Sequence, residues 1–415
     1  MQKVYNKNIH TSFFLKNENS KHNVLLKNHA IIRTRISWKK LSQSDYTENG
    51  PYLIAGKHIE NDVVNWNKCN HISLNDFHKS PEIILEENDI LFSKDGNLGN
   101  PTIIKNLKYD ATINSTMMLI RVDETVNPDY FFQIIKSELF ERFIRKYQTG
   151  SGVQHILLKD VKNFEFPLPN LHVQNKIVKL LSTIDNKMRL LEEKYRLYNN
   201  IKNYYMQILI PAYHNTTPIY QNSNKKSKWK KSKIQSIGQV ITGNTPSTYN
   251  TEYYEDKEGL LWITPKDYKG HKYITDTRKK ISAKGLEKCR IIPNESIFVT
   301  CIGTIGKVAI NKNDCTCNQQ VNAIIPYTGF DTNYIYYYIQ KNSSRLKYFS
   351  NQSVTPILNK NDFMNISISY PDIEEQRKIG HFLSMLDKKI YLSKRNIENL
   401  KEFKKNITKK CININ

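Results

Sequence analysis

PNLHVQNKIVKLLSTIDNKM (residues 169–188) and PDIEEQRKIGHFLSMLDKKI (residues 371–390) are two versions of one pattern. The offset is 202 residues, close to half of the 415-residue chain, and no gap is needed. Identities fall at Pro169/Pro371, Gln174/Gln376, Lys176/Lys378, Ile177/Ile379, Leu181/Leu383, Ser182/Ser384, Asp185/Asp387 and Lys187/Lys389. So dense a match marks a duplicated unit, and missing it would misread every later element.

The match runs outward from that stretch. Ser151, Asp160 and Asn163 meet Ser353, Asp362 and Asn365 at the same offset. Further upstream the offset drifts, as loops of different length require. Tyr130 then aligns with Tyr334, and NDILFSKDGNLGNPTII with NESIFVTCIGTIGKVAI, which pairs Gly96 with Gly303 and Gly99 with Gly306. Each half is therefore a variable globular part followed by a well-matched helix.

Apolar or aromatic residues in the first helix fall at Ile177, Leu181, Ile184, Met188, Leu191, Tyr195, Tyr198 and Tyr205. Ile379, Leu383, Leu386, Ile390, Ile397, Leu400 and Ile407 repeat the register in the second. Steps of four and three make a coiled-coil seam. Pro169 and Pro371 end the incoming strands, and Asn170 and Asp372 are placed as N-caps. About 38 residues at 1.5 Å each predict rods of roughly 57 Å. A rod with one apolar stripe needs a partner. Pairing inside the chain is favoured over pairing between chains, because the tether raises the effective concentration.

Candidate strands lie at 89–93, 102–104, 115–122 and 164–167 in the first half, and at 259–263, 296–300, 307–310 and 321–326 in the second. Helices are expected over 129–147 and 333–348. The fold class is thus α/β (α+β): two similar globular domains joined by two long antiparallel coiled-coil-like helices, with pseudo-two-fold symmetry. The expected divisions are an extension at 1–22, globular domains at 23–168 and 229–370, helices at 169–210 and 371–412, and a lysine-rich linker at 211–228.

The chain carries 62 Lys+Arg against 39 Asp+Glu, a formal net charge of +23. That excess points to a polyanion, with nucleic acid first. Compositional drift in an A/T-rich genome would also raise Lys, Asn and Ile. No run of about eighteen apolar residues predicts a membrane span, and the first twenty residues lack the apolar core of a signal peptide. The six scattered cysteines suit a reducing, cytoplasmic setting. Cys315 and Cys317 lie two apart, but no second pair follows at zinc spacing, and DCTCNQQV reads as a strand.

Two modules on a pseudo-dyad suit duplex DNA, which has the same symmetry. Unlike modules on a rigid ruler would read an asymmetric, split sequence. This organisation resembles that of Type I restriction enzyme specificity subunits over residues 23–410. The similar strings are ISWKKLSQSDYTENGPYLIAGKHI (36–59), FSKDGNLG (92–99), TGNTPSTYNTEYYEDKEGLLWITPKDY (242–268), and the segments LKDVKNFEFPLPNLHVQNKI and LNKNDFMNISISYPDIEEQRKI that run into the helices. The resemblance implies a non-catalytic subunit that binds double-stranded DNA and two methyltransferase subunits, directing adenine methylation in a bipartite site. S-adenosylmethionine, ATP and magnesium would sit on the partners, and restriction subunits would join to cut. An orphan DNA-binding scaffold without restriction is the alternative of the same fold.

DNA reading needs cations for phosphates and polar side chains for base edges. The candidates are Lys94, Asn97 and Asn100 in the first domain, with Arg35 and Lys39 on phosphates. In the second they are Thr245, Lys266, Thr304, Lys307, Gln319 and Gln320. The glycines beside them equally suit a plain hairpin, and the two glutamines a solvent-facing strand. NPDY (127–130) resembles an amino-methyltransferase motif, but its third residue is Asp and its counterpart is DTNY. GTIGKVA (303–309) has Gly-Lys without the full phosphate loop, and Val308 stands where a hydroxyl is needed.

Overall fold

The structure is a computed structural model that describes residues 22–35, 41–148, 154–221, 228–255, 258–351 and 356–412. The chain divides into two compact units. Unit 1 joins residues 1–189 to 398–415, and unit 2 is 190–397. Lys39 and residues 1–21 lie outside the described residues. His22, the last residue of the expected extension, opens a strand.

In unit 1, β1 (His22–Leu25), β2 (Ala30–Arg33), β3 (Tyr46–Ile54), β4 (Asn70–Ile72), β5 (Ile90–Ser93), β6 (Gly99–Ile103), β7 (Ala111–Ile113) and β8 (Met117–Val122) precede α1 (Pro128–Ile135) and α2 (Glu138–Tyr147). β9 (Glu165–Leu168) leads into the long helix α3 (Leu171–Leu209). One sheet runs β2-β8-β5-β6, a second β4-β3-β7, and β1 pairs β9. Continuous burial of Ile90, Leu91 and Phe92 and of Met118 and Leu119 shows that the first sheet is covered on both faces.

Unit 2 repeats the plan. β10 (Lys230–Lys233), β11 (Gly238–Thr242), β12 (Leu260–Ile263), β13 (Tyr273–Ile274), β14 (Ile297–Thr300), β15 (Val308–Asn311), β16 (Thr316–Cys317) and β17 (Val321–Pro326) precede α4 (Thr332–Lys341). β18 (Ser367–Tyr370) leads into α5 (Ile373–Ile412). The order β11-β17-β14-β15 matches the first sheet, with β13 added at its edge, and β10 pairs β18 as β1 pairs β9. β10 thus opens the second globular part, directly after the linker expected at 211–228. DCTCNQQV is not one strand but two short runs, with a turn at residues 318–320 between β16 and β17.

Both helix starts are capped as the sequence reading expects. Asn170 Oδ1 accepts from Val173 N at 3.0 Å, and Asp372 Oδ1 from Glu375 N at 3.0 Å. In unit 2 the α3 and α5 segments run antiparallel: Tyr205 packs on Phe382, Lys202 bonds Asp387, and Lys389 lies over Tyr198. In unit 1 Lys404 bonds Asp185 at 2.6 Å. Ile177, Leu181, Ile184, Ile379, Leu383 and Leu386 are buried along the seam, as are Ile397, Leu400 and Ile407.

The retained glutamines lock each globular part to its helix. Gln174 is fully buried; its Oε1 accepts from Asn127 N at 2.7 Å, and its Nε2 donates to Pro169 O at 2.8 Å. Gln376 does the same with Asp331 N at 3.0 Å and Pro371 O at 2.9 Å. Asn127 and Asp331 cap the helices of Tyr130 and Tyr334, whose hydroxyls donate to Pro167 O and Ser369 O. NPDY and DTNY are therefore helix caps joined to a buried tyrosine. No helix among the described residues is long and apolar enough to cross a membrane.

Candidate nucleic-acid interface

In unit 1 three loops converge at one end of the two sheets. The first is the arch between β5 and β6. Gly96 and Gly99 take φ of +76° and +90° there, a region that favours residues without a Cβ. Asn97 sits exposed between them. The second is the turn after β7, tied to the arch by Lys94 N donating to Thr116 O at 2.9 Å. The third follows β3, where Asn100 Nδ2 donates to Gly56 O at 2.9 Å. Residues 154–156 brace the arch, with Gly96 N donating to Gln154 O at 2.8 Å and Ile156 N to Lys94 O at 3.0 Å.

Unit 2 builds the same constellation. Gly303 and Gly306 have φ of +71° and +89°, with exposed Thr304 between them and Lys307 exposed beside them. Cys301 N donates to Gln320 O at 2.8 Å, and Asn318 N to Ile263 O at 3.0 Å. Gln319 and Gln320 therefore stand on a turn and not along a strand. Asn244 N donates to Cys317 O at 2.9 Å, and the Thr245 hydroxyl bonds Gln319 Oε1. Lys266 is exposed on the short turn after β12, which Asp267 Oδ2 caps by accepting from Thr264 N at 2.8 Å. Thr245, Lys266, Thr304, Lys307, Gln319 and Gln320 thus lie on adjoining loops.

Unit 1 corrects two assignments. Arg35 is 3% exposed; its guanidinium donates to Ile113 O, Ser80 Oγ and Thr112 Oγ1 at 3.0–3.3 Å. Burial pushes its pKa below the ordinary value, against the pull of Glu82 and Asp76. A guanidinium spent inside the fold is not available to a phosphate. Asn100 likewise uses its amide to hold the neighbouring loop, with a second, longer bond to Ile59 O. Lys94 is half-buried and bonds Asp95 at 2.6 Å. Asn97 keeps an open position.

Three residues escaped the sequence reading. Lys57 occupies in unit 1 the place of Lys266, on the turn after the strand that pairs in parallel with its neighbour. Ser115 and Thr116 occupy the places of Gln319 and Gln320, as shown by Met117 N donating to Asn114 O where Val321 N donates to Asn318 O. Side-chain identity is lost at all three except the lysine. The signal lay in the parallel pairing, which periodicity does not reveal.

Beside the unit 1 arch lies a groove of about 430 Å³. Ile135, Phe140 and Ile144 form its floor, and Asn97, Gln148 and Gln154 bring amides to it. Such amides donate and accept together, as base edges require. Cys315 and Cys317 are buried, and burial holds both thiols well above their usual range, Cys315 at about 12. A metal needs the thiolate, which this environment disfavours.

The family model for the Type I restriction modification DNA specificity domain matches residues 32–202 and again 226–402. The chain belongs to that family. The family is one of DNA specificity domains. The two matches coincide with the two halves of the repeat. A specificity subunit named for the MjaIX Type I restriction enzyme of Methanocaldococcus jannaschii is 38% identical over 180 residues, covering 42% of this chain and 41% of the relative. The chain thus matches less than half the length of that relative. The MjaVIII specificity subunit of the same organism is 27% identical over 79% of this chain and 78% of its own length. The S subunit of a Type I restriction-modification system from M. genitalium shares the fold, with a TM-score of 0.64 at 15% identity over 97% of this chain and 99% of its own.

Proposed function

We propose that this specificity-family chain reads a split, asymmetric DNA sequence, one part with the loops of each unit. It brings two methyltransferase subunits, and restriction subunits with them, to that site. The observation that carries the reading is the three-loop constellation built twice on one topology with different side chains: Asn97, Ser115 and Thr116 in one copy, Thr304, Gln319 and Gln320 in the other. The same backbone with unlike polar tips is what two unlike half-sites call for. Lys57, Lys266 and Lys307 supply phosphate contacts beside the tips. Methyl transfer would take place on the partner subunits, from S-adenosylmethionine held there, and the methylated base would be adenine.

Co-expression with the methyltransferase partner, followed by mapping of methylated adenines, tests this. The expected result is a bipartite motif whose two parts differ, separated by unread base pairs. Methylation of a continuous palindrome, or no salt-sensitive retention on duplex DNA, overturns it. Gln319→Ala is expected to relax one base position, and Lys266→Ala to weaken all sequences alike.

A further inference from the structure

In unit 1, α2 and the last turns of α5 line a cavity of about 450 Å³. Its wall carries Lys136, Arg145, Lys401, Lys404, Lys405 and Lys409, against Glu138 and Glu141. Two of the cations are held by carboxylates, Lys404 by Asp185 and Lys136 by Asp62. Arg145 meets Glu141 at 3.7 Å, an exposed contact of little strength. Lys405 and Lys409 are exposed.

Lys401, Lys405 and Lys409 recur every four residues and so share one helix face. Like charges stacked in this way oppose an isolated helix. The first helix of the repeat does without them. The first helix carries Asn199, Asn203 and Gln207 at the matching positions, 202 residues earlier, where the partnering ion pair is otherwise kept: Lys202 for Lys404 and Asp387 for Asp185. The three stacked charges are therefore a feature of the second copy alone and not of the pattern that both helices share.

The cavity is also continuous with the reading loops. It shares Lys136, Glu141 and Arg145 with the groove that carries Asn97, Gln148 and Gln154. Steps of four residues advance about 6 Å along the helix, on the scale of the separation between neighbouring phosphates of one strand, which climb about 3.4 Å along the duplex axis while turning around it.

We infer that the C-terminal turns of α5 form a phosphate track, gripping the DNA backbone that flanks the sequence read by unit 1. The inference rests on the DNA-reading function proposed above. It gives unit 1 cations from the second repeat, and no equivalent from the first repeat for unit 2.

The test is the full chain carrying Lys401→Asn, Lys405→Asn and Lys409→Gln, which copies the residues of the first helix and so preserves helix-compatible side chains. Binding to duplex DNA is measured from 50 to 200 mM salt, with circular dichroism to confirm the fold. The slope of log affinity against log salt is expected to fall by about 2–3, with base preference unchanged. An unchanged slope in a folded variant overturns the track. Loss of methyltransferase co-purification at unchanged slope overturns it too, and assigns the face to that partner. If the unaltered chain shows no salt-sensitive DNA binding, the proposed function itself fails, which is a separate result.

Discussion

Gln174 and Gln376 make the same pair of hydrogen bonds in their two units, whereas Gln133 and Tyr337, which occupy equivalent positions on α1 and α4, reach their helix differently. Gln133 Nε2 approaches Asp185 at 3.4 Å, while Tyr337 OH donates to Asp387 at 2.6 Å. The neighbouring cation differs too. Unit 1 pairs Lys136 with Asp62, while unit 2 buries Lys272 among Asn333, Ser384 and the rings of Tyr336 and Tyr337. Duplication thus held fixed the groups that cap backbone at the junction, since an unmet buried amide is costly. It let the next layer be refilled, because several fillings satisfy the same carboxylate.

The strongest challenge to that equivalence is to empty the seam. Leu181 and Leu383 are repeat partners, and both are fully buried. Leu181→Ala and Leu383→Ala are each expected to cost about 2–5 kcal/mol in urea unfolding. A cost under about 1 kcal/mol at either site would show that the two seams are not equivalent cores.

That seam was legible because a 3.6-residue period and a 202-residue repeat reinforce each other in the sequence. The caps at Asn170 and Asp372 were legible for a related reason, since capping is local chemistry. The proposed reading surface was legible only in part. The glycines pointed to the arches, and Asn97, Thr304 and Gln319 followed from them. Arg35 was misassigned because a sequence does not show which cation is enclosed by residues 45, 77 and 78 positions away. Lys57 was missed because its place beside these loops depends on a parallel strand pair between residues 52–54 and 111–113.

Lys272 sharpens the contrast by pH. It is 8% exposed, and burial pushes its pKa down to about 8, against the pull of Asp387, Asp331 and Glu295 and with Lys202 adding to the drop. Below pH 8 the ammonium is charged in folded and unfolded chains alike, so the full burial cost is present. Between about pH 8 and 10.5 the unfolded chain holds a proton that the folded chain has lost, so stability rises with pH. Above that window the gain is complete. At about 1.4 kcal/mol per unit the total is of order 3–4 kcal/mol. The difference in unfolding free energy between the natural chain and Lys272→Met is expected to grow in favour of the natural chain across that window. A flat difference would mean that Lys272 is as well solvated as a surface lysine.

A smaller effect is expected at the locks. Gln174→Ala and Gln376→Ala each strand a backbone N–H and a carbonyl, and each is expected to cost about 1–3 kcal/mol. Equal costs in urea unfolding support a shared lock. A cost confined to one site would mean that the other junction is held by its refilled layer.

The finest test lies in that layer. Asp387 is the more enclosed carboxylate, with its side chain 20% exposed against 31% for Asp185, and it accepts two short bonds, from Lys202 at 2.7 Å and Tyr337 at 2.6 Å. Asp185 accepts one short bond, from Lys404, and the long one from Gln133. Removing a charge that holds two close donors leaves more unmet than removing one that holds a single close donor. Asp387→Asn is therefore expected to cost more than Asp185→Asn, by about 1 kcal/mol. Adding Tyr337→Phe separates the causes. In the Asp387→Asn background it is expected to cost less than in the natural chain, because the hydroxyl has already lost its charged acceptor. If the two costs simply add, the tyrosine hydroxyl and the carboxylate are independent, and the difference between the two copies lies in burial alone.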